Sequence, residues 1–154
     1  MNRYFTFRHL AALPLGIALA AGAWAETSRY EEPIRYRKAV MTMIKRHYDQ
    51  VSGMAKGTLP MNAEALNRNA DYLDMLAHVM LDGFVAGSHE GETRAKPEIW
   101  KQWKDFRGLA EKFQADAARL KEVARSGKND QLKPAVAEMT KTCKSCHDDF
   151  KASS

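Results

Sequence analysis

The chain has 154 residues, 24 Lys and Arg against 19 Asp and Glu, and a net charge of +5. This length suits one domain with a buried core. Charges of both signs are interspersed, with no basic block or arm, and this pattern argues against nucleic-acid binding.

The first 25 residues have the pattern of a secretory signal peptide. Arg3 and Arg8 supply a basic start, residues 10–23 form an apolar run, and the Ala-Trp-Ala ending at Ala25 fits a cleavage site. We therefore predict export to a periplasm, cleavage after Ala25, and a mature domain of residues 26–154 with no membrane span. An uncleaved anchor is the alternative, although the apolar run is short for a span. Without the leader's two arginines, 22 basic residues face 19 acidic ones, a net charge of +3.

Apolar residues then recur at intervals of three and four, which predicts amphipathic helices. The first helix is predicted over residues 31–55, with Pro33 in its first turn, where the missing N–H costs little. The second begins after Asn62 as its N-cap, and a loop rich in glycine occupies residues 83–96. The predicted inward positions of these two helices are Ile34, Met41, Ile44, Tyr48, Val51, Leu66, Ala70, Leu73, Ala77, Met80 and Phe84.

The second half of the chain predicts two more helices. One opens at Pro97 and ends at Gly127, and the other is capped by Asn129 or Asp130 and continues to Phe150. The predicted inward positions are Ile99, Trp103, Phe106, Ala110, Phe113, Ala117, Leu120, Ala124, Leu132, Val136, Met139, Cys143, Cys146 and Phe150. No segment has the pattern of a strand. We predict an all-α antiparallel four-helix bundle.

The last helix carries Cys143-Lys144-Ser145-Cys146-His147, the C-x-x-C-H pattern at which haem c is attached. Residues three and four apart share one face of a helix, so both thiols and the imidazole point the same way. We predict that Cys143 and Cys146 bind one haem covalently and that His147 is the proximal ligand of its iron. Because both cysteines continue the apolar line of their helix, the haem is predicted to lie inside the bundle.

Two other interpretations of the motif are weaker. A thioredoxin-like redox pair belongs to a βαβ setting, which the helical pattern does not provide. A structural zinc site needs four ligands, and the chain has no second C-x-x-C pair.

A residue of another helix must face the far side of the haem. Met41 is the candidate distal ligand, because it is central on the inward stripe of the first helix and a thioether can bind iron. The alternative is that Met41 only fills the core. Arg37, one turn earlier, is a candidate contact for a haem propionate, since guanidinium binds carboxylate through two hydrogen bonds. The alternative is that the aliphatic part of Arg37 packs in the core while its guanidinium reaches solvent. We predict that His47, His78 and His89 are surface residues.

These residues resemble the class II c-type cytochromes, the cytochrome c′ family. The resemblance covers about residues 30–151 and rests on the haem motif near the C-terminus and on matching residues elsewhere. Those residues are Tyr36-Arg37-Lys38, Met41, His47, Lys56-Gly57, Pro60 and Pro97-Glu98-Ile99-Trp100.

The resemblance implies one haem c with His147 as proximal ligand and with the position of Met41 on the distal side. Many members carry a non-ligating residue there and bind NO or CO, whereas a low-spin branch has a ligating methionine. Family members often have Arg four positions after the proximal His, where this chain has Lys151, and the two side chains are not equivalent. The resemblance also implies a homodimer through the first two helices.

We expect a periplasmic electron carrier that exchanges electrons with redox partner proteins and is not an enzyme. The alternative is a five-coordinate protein that binds NO or CO, with Met41 as a lid over the iron. Peroxidase-like turnover is a weaker third reading, since no distal His/Arg pair is evident.

Overall fold

The computed structural model describes the backbone of residues 18–153 and the side chains of residues 29–153. It contains four long helices, a short helix and a 3₁₀ turn. They are α1 (Ala18–Lys56), α2 (Ala63–Val79), the 3₁₀ turn (Met80–Gly83), α3 (Glu98–Lys101), α4 (Trp103–Ser126) and α5 (Asn129–Phe150). Among the described residues, extended pairing is confined to one isolated antiparallel bridge between Ala95 and Lys151.

The four long helices form the predicted bundle. Each packs against two neighbours, in the pairs α1–α2, α2–α4, α4–α5 and α1–α5. Short connections reverse the chain between α1 and α2 and between α4 and α5, as in an up-and-down bundle. The prediction of an all-α antiparallel four-helix bundle is therefore confirmed. No helix within the described part of the chain is long and apolar enough to cross a membrane.

The first helix begins earlier than predicted. It starts at Ala18, and Pro33 therefore lies within the helix and not in its first turn. The additional residues include several alanines, which have the highest helix propensity of any residue. Residues 1–17, most of the predicted leader, lie outside the described residues.

Two helix ends follow the predicted chemistry. The side chain of Asn62 accepts a hydrogen bond from the Ala65 amide at 2.8 Å, so it caps α2 as predicted. Gly127 ends α4 with φ of 68°, a left-handed conformation that suits glycine. The cap of α5 was predicted wrongly: Asn129 is already helical, and Lys128 precedes it without a side-chain cap.

The predicted third helix is interrupted. Gln102, at φ −117° and ψ 42°, separates the four-residue α3 from α4. Trp103 directly follows this break and is 37% exposed, although its spacing predicted an inward position. Phe106 and the later inward residues of α4 are buried as predicted.

The core consists of two clusters of buried apolar residues. The larger runs along the bundle and includes the fully buried Leu73, Leu120 and Met139. The smaller lies at one end and is formed by Ile99, Phe106 and Phe150. Full burial of such side chains stabilises the fold by roughly 1.5–3 kcal/mol each. The two clusters matter for function because the C-x-x-C-H motif lies between them.

Candidate haem-binding site

The motif occupies the last two turns of α5. Cys143 is partly buried against the larger cluster, and Cys146 is partly buried against the smaller one. His147 is exposed, and its carbonyl accepts a hydrogen bond from the Lys151 amide at 3.2 Å. The structure thus places both thiols towards the interior and the exposed imidazole beside them in the last turn of α5.

The two cysteines are free thiols in an apolar environment. Burial, followed by the charge of Asp116, raises the pKa of Cys143. Burial raises the pKa of Cys146 to about 11, with smaller contributions from Cys143 and Asp149. Both groups therefore stay neutral near pH 7, as suits thiols that become part of an apolar core.

The imidazole of His147 also favours its neutral form. Desolvation lowers its pKa, and the positive charges of Lys151 and Arg94 act in the same direction, against an opposing effect of Asp148. A neutral imidazole has the free lone pair that binds a metal.

This donor set fits haem c. Two thiols three residues apart and an imidazole at the next position suit attachment to two vinyl groups and to the iron. A structural zinc fits less well, because the described residues contain no group of three or more His, Cys, Asp and Glu that could hold a metal ion.

Met41 lies on α1 at the level of His147. Tyr48 of α1 and Thr140 of α5 share a hydrogen bond of 2.6 Å between their hydroxyls, which fixes the register of the two helices. Met41 is seven residues before Tyr48, and His147 is seven residues after Thr140. Since seven residues make almost two turns, about 10 Å, antiparallel helices carry both residues to the same height and side. Met41 is half-buried against the larger cluster, and its ligation of iron stays a prediction.

Arg37 is buried, at 3% exposure, and its guanidinium is bound to the loop after the 3₁₀ turn. Nη1 donates to Gly83 O at 3.1 Å and Ser88 Oγ at 2.6 Å. Nη2 donates to Ser88 O at 2.5 Å and Thr93 Oγ1 at 2.7 Å. Burial lowers the pKa of Arg37. Among the described residues, every N–H of the guanidinium except that of Nε has an acceptor. The contact with a propionate therefore stays a prediction, while the structure shows Arg37 as an anchor of the loop.

The same loop approaches α1 closely at its glycines. A Cβ at Gly87, where φ is 84°, would lie 2.5 Å from Tyr30 Oη, and one at Gly91 would lie 3.2 Å from Ile34 Cδ1. Larger residues would push the loop away from α1. The loop and the first helix therefore form one packed unit.

Two of the three histidines predicted at the surface are partly buried. His47 shares a hydrogen bond of 2.8 Å with Asn69 Oδ1, and its ring lies 4.7 Å from that of Tyr72. His89 lies 5.2 Å from the ring of Trp100. These three contacts join His47 to α2 and His89 to α3, and helix periodicity does not reveal them.

A polar pair beside Cys143 was also missed. Thr142 is 2% exposed and donates to Asp116 Oδ2 at 2.5 Å, and Lys112 Nζ lies 3.1 Å from the same oxygen. The pair joins α4 to the helix of the motif. Asp116 adjoins the inward residues of α4, but the spacing alone does not identify its partner.

A four-helix bundle with one C-x-x-C-H motif on its last helix defines a class II c-type cytochrome. A sequence model of the family described as Cytochrome C′ matches residues 32–151. The chain therefore belongs to the cytochrome c′ family.

Individual relatives agree with this assignment. Cytochrome c′ of Rubrivivax gelatinosus is 35% identical over 121 residues, which cover 78% of this chain and 94% of the relative. The structure of cytochrome c prime from Shewanella frigidimarina matches with a TM-score of 0.78 and 34% identity, covering 80% of this chain and 97% of that one. A nitric oxide complex of a cytochrome c prime variant from Alcaligenes xylosoxidans matches with a TM-score of 0.76 and 27% identity, covering 81% and 97%.

As a member of this family, the chain binds one covalent haem c with its iron. In this chain Cys143 and Cys146 are the residues that would hold the porphyrin, and His147 would hold the iron. When bound, the haem would supply an iron centre with a one-electron redox couple. The protein would supply the attachment and the apolar surroundings.

Proposed function

We propose that this cytochrome binds a diatomic gas, NO or CO, at haem iron that His147 alone ligates from the protein. The observation that carries the proposal is membership of a family in which a variant of one relative has been solved as a nitric oxide complex. This observation supports gas binding, the alternative predicted from the sequence, better than it supports electron carriage.

In this proposal each side of the site has its own task. Cys143 and Cys146 fix the haem on α5, and His147 binds the iron from that helix. Met41, at the same level on α1, covers the opposite side without ligating, so a small ligand enters and bulk water is excluded. Because this side of α1 is apolar and half-buried, the site favours an uncharged gas over an anion.

An absorption spectrum of the purified holoprotein tests the proposal. We expect high-spin bands after reduction and a shift on adding CO or NO. Low-spin bands in the reduced protein, with no change on adding CO, would contradict it.

A Met41→Ala variant locates the distal side. If Met41 is a lid, the variant stays high-spin and binds CO faster than the parent. Met43→Ala is the matched control, since Met43 is on the same helix but 44% exposed. Equal CO binding rates in the parent and both variants would show that Met41 does not cover the distal side of the haem.

Electron carriage is the second candidate, and the register of Met41 favours it, because a thioether at the level of His147 can ligate iron. In that case the reduced spectrum is low-spin, Met41→Ala abolishes those bands, and redox partner proteins exchange electrons with the haem. Neither candidate involves turnover of a substrate, so we propose that the protein is not an enzyme.

We propose a periplasmic location after removal of residues 1–25. The leader pattern supports this location, and cleavage after Ala25 would shorten α1 at its start. The intact mass of the exported protein measures the cleavage site and the added haem together. A mass that includes residues 1–25 would contradict cleavage.

We also propose a homodimer through α1 and α2. Met43 on α1 and Met75 on α2 are 44% and 55% exposed, and Tyr72 is exposed nearby in sequence. Sedimentation of the parent and of Met75→Glu tests this interface. We expect the parent to sediment as a dimer and the variant to dissociate, and a monomeric parent would exclude the dimer.

A further inference from the structure

One lysine holds the end of the helix that carries the haem motif. Lys96 Nζ donates to Asp148 O and Asp149 O, both at 2.9 Å, and its backbone N–H donates to Phe150 O at 3.0 Å. These are the carbonyls of the three residues that follow His147. A single residue therefore satisfies three consecutive acceptors at the end of α5.

The last four carbonyls of a helix have no N–H donor within the helix, so they need hydrogen-bond donors from elsewhere. A lysine ammonium is well placed there, since the negative end of the helix dipole attracts a cation. Without these bonds the carbonyls of the last turn would bond to water, and the turn would fray, as helix ends commonly do. His147 is in that turn.

The residues on either side of Lys96 strengthen the contact. Ala95 forms an antiparallel bridge with Lys151, and the Ala152 amide donates to Arg94 O at 2.8 Å. Arg94 donates from Nε and Nη2 to Ala152 O at 3.0 and 2.9 Å. Segment 94–96 is thus paired along its length with residues 150–152.

The residue directly before this segment is fixed to α1. Thr93, the residue before the paired segment, accepts from Arg37 at 2.7 Å, and its own Oγ1 accepts from the Ala95 amide at 3.1 Å. Lys96 therefore acts from a segment that is anchored on both sides. This anchoring lets a surface lysine define the position of a helix end.

We propose that Lys96 is a positioning residue for the proximal ligand: its three hydrogen bonds hold the last turn of α5 and thereby fix the orientation of His147 towards the haem iron. The inference rests on the proposed ligand role of His147. It does not depend on whether the protein binds a gas or carries electrons.

Resonance Raman spectroscopy of the ferrous holoprotein tests it through the iron–imidazole stretching band. All variants are made in a Met41→Ala background, so that the band is measured whether or not Met41 ligates. We expect Lys96→Met to shift and broaden the band, because the imidazole samples more orientations. Lys96→Arg, which keeps a cationic donor near the carbonyls, should restore most of the parental band.

The matched control is Lys104→Met, which removes the same charge from an exposed position of α4. We expect its band to equal that of the parent. A parental band in Lys96→Met, or an equal shift in Lys104→Met, would overturn the proposal. Circular dichroism verifies folding, and Lys96→Gln serves as a milder change, with a parental band again counting against the role.

The same spectra separate this inference from its foundation. If the Met41→Ala variant with Lys96 intact shows no iron–imidazole band, His147 is not the iron ligand. The positioning role of Lys96 and the gas-binding proposal then both fail. If the band is present and responds to Lys96 while CO does not bind the protein with Met41 intact, only the gas-binding proposal fails.

Discussion

Replacement of Arg37 by methionine should measure how strongly the loop is held to α1. The change removes donors to Gly83 O and Ser88 O and to the hydroxyls of Ser88 and Thr93. Each carbonyl left buried without a donor costs about 1–3 kcal/mol, whereas hydroxyls can rotate to new partners. Contacts of the guanidinium with the rings of Phe84, 5.2 Å away, and Trp100 are lost as well.

Removing the buried charge of Arg37 offsets part of this loss of stability. Within the described residues no carboxylate lies within salt-bridge distance of Arg37, so its removal returns part of the desolvation cost. We expect the free energy of unfolding to fall by about 3 kcal/mol net. With a slope of about 2 kcal/mol/M, the urea midpoint of the holoprotein should fall by about 1.5 M.

Urea unfolding followed by far-UV circular dichroism measures this change, with Lys38→Met as the control at the adjacent exposed position. Hydrogen exchange locates it: the Ser88 and Thr93 amides should lose protection while those of α4 keep theirs. A loss below about 1 kcal/mol, or loop amides that stay protected, would show that Arg37 does not anchor the loop. A changed haem reduction potential or absorption spectrum with an unchanged loop would favour the propionate contact instead.

Two further predictions concern neighbours of the site. Gly83→Ala should destabilise the protein by about 2 kcal/mol, because the new Cβ would lie 2.7 Å from a side-chain carbon of α1 and 2.9 Å from a backbone nitrogen. Gly108→Ala meets nothing within 4 Å and should stabilise the helix by about 0.5–1 kcal/mol, as measured by urea unfolding; equal effects of both changes would refute the steric argument. Asp116→Asn should lower the raised pKa of Cys143 in the folded haem-free chain, so more thiolate is present and alkylation at pH 8 becomes a few-fold faster. Glu111→Gln, one turn earlier on α4, is the control, and an unchanged rate in Asp116→Asn would exclude the charge effect.

The parts of the structure that follow from local patterns could be predicted from the sequence. Helix spacing identified most of the buried residues of α2 and α5, and Asn62 and Gly127 marked helix ends through their own side-chain and backbone chemistry. The C-x-x-C-H spacing predicted haem attachment at Cys143, Cys146 and His147 because all three lie within two turns of one helix. Trp103 was placed wrongly because it directly follows the non-helical Gln102, a break that the spacing of apolar residues does not reveal.

What could not be predicted depends on contacts between distant segments. Arg37 was recognised as a charge on an inward stripe, and its need for a partner was clear from physical chemistry. The partner itself was not, because the acceptors are mainly loop carbonyls and hydroxyls about 50 residues away, which carry no sequence signal. The sequence indicates the partners of Lys96 even less, since its acceptors are backbone carbonyls that every residue possesses.

These two residues bear on function together. Arg37 fixes the loop to α1, the helix that carries Met41, and Lys96 fixes the same loop to the end of α5, the helix that carries His147. The loop therefore spans the two helices that face each other across the proposed haem site. Because hydrogen bonds tie it on both sides, a change in the separation of α1 and α5 must strain or break one set of them. The distance available to a haem and its ligand is thus set by this loop as well as by the packing of the bundle.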